Sequence, residues 1–127
     1  MPNTANFHGM KHLQESNKVD IRKEPGIYLH VAGMAKTKRG IVCTYRLADQ
    51  HMLRSSDIMV CYSYDGGRTW EGHRSISHLD VEHDQAVWIA PELNALPDGR
   101  LVIIVDKGNR KPDEEHVSLV YVAKAEP

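Results

Sequence analysis

Hydrophobic and polar positions divide the chain into short apolar runs separated by turn residues. The runs at 41–47, 58–63 and 101–106 are rich in β-branched, aromatic and sulfur side chains and nearly continuous. Their shortness predicts strands rather than helices, and their continuity predicts burial on both faces. Further strands are predicted at 27–35, at 74–78, at 87–96 with an interruption at Pro91, and at 117–123. A short strand is predicted at 19–22. Turn chemistry punctuates these runs at Glu24-Pro25-Gly26, at 36–40, at Asp65-Gly66-Gly67 and at Pro97-Asp98-Gly99. Segments 48–56, 80–85 and 107–115 read as polar or charged loops. Residues 1–17 are polar and aperiodic, which predicts a flexible arm with at most a short marginal helix at 10–14.

The pattern repeats. A shift of sixty positions lays Ile41-Val42 on Leu101-Val102, Met59-Val60 on Leu119-Val120 and Ala35 on Ala95. A repeat of this length carrying about four strands is the sequence signature of a propeller blade. The same shift lays Ser63 on Ala123 and Asp65 on Ala125, so the turn chemistry of the first unit has no counterpart in the second.

That turn is Ser63-Tyr64-Asp65-Gly66-Gly67-Arg68-Thr69-Trp70. Glycine supplies positive φ, Ser63 and Asp65 can accept backbone N–H groups inside the turn, and Trp70 offers an apolar plate beneath it. An ordinary Asp-Gly hairpin is the plainer reading. The pattern Ser-x-Asp-x-Gly-x-x-Trp resembles the Asp-box, or BNR repeat, of the sialidase (neuraminidase) superfamily. The resemblance extends loosely from about residue 19 to the C-terminus, and only the Asp-box residues Ser63, Asp65, Gly67 and Trp70 are specific. It implies an all-β fold: a partial six-bladed β-propeller of the sialidase type, with about two four-stranded antiparallel blades. Blade one would cover about 27–78 and blade two about 87–127, within a unit spanning 18–127. In that family the Asp-box joins the third and fourth strands of a blade, away from the active site, so it speaks to fold more than to chemistry.

The catalytic residues that the resemblance implies transfer poorly. Sialidases grip the sialic acid carboxylate with three arginines, and the first of these falls where this chain has His30. The acid/base aspartate belongs to the loop after the second strand. Asp49 and Asp57 lie in the matching region, but neither has the matching spacing to the Asp-box. The remaining arginines and the nucleophile pair belong to later blades. A glycosidase needs an acid/base and a nucleophile across the sugar from each other. The expectation is therefore a sialidase-like fragment, not catalytically complete by itself. The alternative is a non-catalytic BNR module that binds a glycan or another partner and closes a propeller by oligomerisation. A truncated product without activity is a third reading. His30 and Arg46 are the candidate ligand-binding residues. Arg46, Asp49 and Asp57 are a candidate polar cluster at the propeller mouth, set against a structural histidine and a solvated loop of ion pairs.

Composition narrows this further. The chain of 127 residues carries a net charge of −1, so it has no basic footprint for nucleic acid. No run of eighteen apolar residues suggests a membrane span, and no apolar leader suggests a secretory signal. Cys43 and Cys61 read as buried thiols, with a disulfide open to them if their strands pair in register. The 78–84 segment holds metal-capable side chains, but alternation puts His78, Asp80 and Glu82 on one side and His83 out of phase. His8 and His12 lack a third ligand. Neither metal nor cofactor is expected. Two blades alone would leave two apolar faces open, so a homo-oligomer is expected, three chains completing a six-bladed ring, or else a different closed oligomer or a partner chain that supplies the missing blades.

Overall fold

The computed structural model describes residues 17–49, 54–109 and 117–124. The fold is all-β, with two antiparallel sheets. The first contains β1 (Tyr28–Lys36), β2 (Ile41–Ala48), β3 (Ser55–Ser63) and β4 (Glu71–Asp80), in that order. A single helical turn, α1 (Val81–Asp84), leads to the second sheet of β5 (Ala86–Ala95), β6 (Arg100–Asn109) and β7 (Val117–Lys124). The second sheet therefore has three strands among the described residues, where four were expected. The predicted helix at 10–14 and the histidines His8 and His12 lie outside the described residues.

Two local expectations need correction. Residues 19–22 form no strand; Ile21 instead packs, partly buried, onto the first sheet. Residues 81–84 form α1 rather than a plain loop, because the Asp80 carboxylate accepts the His83 amide at 2.6 Å and caps the turn.

The sheets pack face to face. Ala35, Val42, Val60 and Tyr62 of the first meet Leu93, Leu101 and Ile103 of the second, and Ile58 meets Trp88 and Val105. β1 is the strand of the first sheet that lies most extensively against β5. Gly33 permits that approach, since a Cβ there would stand 3.0 Å from the Leu93 amide nitrogen. Each of these two strands is bulged, β1 between His30 and Ala32 and β5 between Ile89 and Glu92. Positions 90–92 are 30–32 shifted by sixty, so the repeat holds for the irregularity as well as for the strands. Ala90 takes φ 47°, strained for a non-glycine residue.

The other face of the first sheet carries Cys43, Tyr45, Met59 and Cys61, with Ile21 and Trp70 packed against them. Cys43 and Cys61 stand directly opposite each other, in register, fully buried and as free thiols. The hydrogen bond that Cys61 donates to Cys43, together with burial, pushes the Cys61 thiol upward, so it stays protonated. Arg22 donates to the Tyr45 hydroxyl at 3.1 Å, and that hydroxyl lies 2.8 Å from His73 Nδ1. The segment before β1 is thereby fastened over the sheet.

The 63–70 turn closes the β3–β4 connection from its own side chains. Ser63 Oγ accepts the Gly67 amide at 2.8 Å. Asp65 Oδ1 accepts the Arg68 and Thr69 amides at 3.1 and 2.9 Å, and Oδ2 accepts the Thr69 hydroxyl at 2.6 Å. Gly66 and Gly67 take φ 78° and 92°, which only glycine adopts without cost. Trp70 donates to the Gly67 carbonyl at 3.0 Å and is half-buried, less enclosed than expected.

Candidate functional site

Antiparallel pairing brings the start of β1, the end of β2, the start of β3 and the end of β4 to one edge of the first sheet. Tyr28 pairs with Ala48, and Ser55 with Asp80. The 63–70 turn lies at the opposite edge, where Ile41 pairs with Ser63. His30, Arg46, Asp49 and Asp57 all belong to the first edge, together with α1.

Arg46 is opposite His30 on β1 and Ile58 on β3. Side chains alternate along a strand, so Arg46 shares a face with Thr44 and Ile58, the face turned to the second sheet. It is 4% exposed. Its Nη2 meets His30 Nδ1 at 3.3 Å, and its Cζ lies 5.6 Å from the centre of the Tyr28 ring. The His30 ring in turn lies 5.4 Å from that of Tyr28. The Arg46 Nε is buried with no hydrogen-bond partner. No carboxylate among the described residues pairs with this guanidinium, and burial lowers its pKa. A cation enclosed without a counter-charge is costly, because desolvation is not offset by an ion pair. His30 itself is exposed.

A second cluster occupies the other face. Leu47 pairs with Asp57, one step from Arg46, so Asp57 points away from it. The Asp57 carboxylate is hydrogen-bonded to His78 Nδ1. His78 Nε2 is 3.8 Å from Asp80 Oδ2, and His83 Nδ1 is 3.0 Å from the same oxygen. The helical turn thus returns His83 to Asp80, although strand alternation alone would have put it out of phase. The His83 amide holds the Asp80 carboxyl below the usual carboxylate range. Asp49 Oδ1 accepts the Arg54 and Ser55 amides at 3.1 and 3.2 Å, bracing the β2–β3 connection. An open cleft of about 460 Å³ runs past Asp49, Arg54, His78, Asp80 and Glu82. Among the described residues, no group of three or more His, Cys, Asp or Glu side chains is placed to hold a metal ion.

The polar cluster expected from sequence is therefore two clusters. His30 and Arg46 come together, Asp57 lies across the sheet with His78, and Asp49 serves its own loop. Sequence reasoning missed Tyr28, although Tyr28 and His30 are two apart on one strand. It also missed the partnership of Asp57 with His78, twenty-one residues away, which depends on the β3–β4 register. Comparison with protein-family models, with curated proteins and with solved structures finds no match.

Proposed function

We propose that this chain is a two-blade, sialidase-like propeller portion that binds a carboxylated sugar and does not hydrolyse it unaided. The observation that carries this reading is the Arg46 guanidinium, buried with its Nε unpartnered and with no carboxylate against it among the described residues. A ligand carboxylate supplies the missing charge, and a planar guanidinium suits it in bidentate geometry. His30, exposed and hydrogen-bonded to the guanidinium, is the group a ligand would displace. The Tyr28 ring provides an apolar plate for a sugar face.

Support for the propeller part comes from the packed antiparallel sheets, the neighbouring first strands β1 and β5, and their matching bulges. The self-bonded Ser63–Trp70 turn between the third and fourth strands fits the same reading. The catalytic part is unfilled. Asp57 is held by His78 on the far face, and Asp49 is engaged by two loop amides. Neither faces Arg46, so no carboxylate pair flanks a sugar placed there.

The test is an NMR titration with a methyl sialoside and its methyl ester, beside a fluorogenic sialoside assay. Saturable shifts at the 28–46 edge with the acid, none with the ester and no turnover are expected. Equal binding of the ester, or turnover, contradicts the proposal. A partner-binding or assembly module is the second reading, favoured by the exposed apolar side chains of β7.

A further inference from the structure

The face of the first sheet covered by the second carries Val42, Thr44, Val60 and Tyr62. Shifted by sixty, these positions become Val102, Ile104, Val120 and Val122. All four fall on one face of β6 and β7, because Val102 pairs with Val122 and Ile104 with Val120. This is the outer face of the second sheet, and no described residue packs over it. Ile104 is 38%, Val120 60% and Val122 52% exposed. The apolar chemistry of a covered blade face is thus repeated where the described residues supply no cover. At the opposite end of the stack Cys43 and Cys61 are fully buried, with Ile21 and Trp70 packed against them, and Met34 is the exposed large apolar side chain on that face among the described residues.

A head-to-tail ring needs two complementary open faces on each copy. The described residues offer one extended apolar face, and a single face is satisfied among identical chains only by itself, about a two-fold axis. We infer that the Val102–Ile104–Val120–Val122 face is a dimerisation surface whose occupant is the same face of a second copy. Charge sets the direction. Asp106 stands, exposed, at one end of the face with exposed Glu92 beside Ile104, and Arg100 stands, exposed, at the other end, paired with Asp98. An axis across the strands lays each Arg100 towards the acidic end of the other copy, whereas an axis along them stacks like charges. This inference does not depend on sugar binding at Arg46.

The experiment is sedimentation velocity on the full chain over a range of concentrations, for wild type, Val120→Asp and Ile104→Glu. A wild-type dimer is expected, with both variants reduced to monomers that keep the wild-type circular dichroism. The substituted positions are exposed in the single chain, so the fold of the monomer does not depend on them. A wild type that stays monomeric, or forms a trimer or larger species, overturns the inference. So does a dimer that survives both substitutions.

Discussion

Arg46 and His30 face each other across β1 and β2, joined by one hydrogen bond of 3.3 Å. A guanidinium has five donors and no acceptor. One histidine nitrogen and one aromatic face do not satisfy it, and its buried Nε has no partner. The arrangement costs folding free energy, which the proposed ligand carboxylate would offset.

That cost gives the first prediction. Replacing Arg46 with Met keeps the apolar stem of the side chain and removes the unpaired charge. Stability should rise by about 1–3 kcal/mol, the scale of an unsatisfied buried polar group. Urea unfolding of the two proteins measures it. A loss of stability would mean that the guanidinium is already compensated.

The 63–70 turn should melt when Asp65 loses its charge. Hydrogen bonds from Thr69, first through its hydroxyl and then through its amide, hold this carboxyl down to about 2, from an ordinary 3.8. A depressed carboxylate stabilises the fold above its unfolded pKa, and the effect disappears as pH falls through the folded value. The melting temperature should therefore drop between about pH 4 and pH 2, and Asp65→Ala should lower it at neutral pH and flatten that window. An Asp65→Ala protein that melts like wild type would contradict the hydrogen-bonded turn.

His73 titrates with the opposite chemistry and the same direction. Burial, aided by the Arg22 charge, lowers its pKa below 6.5. The unfolded chain then binds the proton more tightly, so stability should decline as pH falls below about 6.5. His73→Asn, which keeps an acceptor for the Tyr45 hydroxyl, should remove that part of the slope. The comparison is thermal unfolding at about pH 7 and about pH 5; parallel slopes in the two proteins would refute the link.

Much of this fold was legible because its strands have sharp chemistry. The runs at 41–47, 58–63 and 101–106 are apolar on both sides, and they became β2, β3 and β6. β4 was read as 74–78 only, because Glu71–Asp80 is mostly solvent-exposed and carries few apolar residues to mark its ends. The strand expected at 19–22 had an alternating pattern, but its Ile21 packs onto the face of the first sheet instead of joining its edge. α1, a single turn of four residues, is too short to show a helical period. Arg46 was visible as a polar residue in an apolar run. Its isolation was not, since that depends on how β5 packs over β2.

Trp88 tests the junction between the sheets. It is 5% exposed, packs with Ile58 and Val105, and donates its indole N–H to Ser77 Oγ at 2.9 Å. Trp88→Ala should cost about 3–5 kcal/mol through the cavity and the lost bond. Trp70→Ala, at a half-buried position, should cost less. Chemical denaturation of both variants ranks them, and the reverse order would mean that the sheets are not held together as described.

The most direct test of the central claim is isothermal titration calorimetry of a methyl sialoside against wild-type protein and against Arg46→Met. The account predicts measurable binding to wild type that is lost in a stable, folded Arg46→Met protein. Unchanged affinity in that variant, or no binding to either protein, would contradict it.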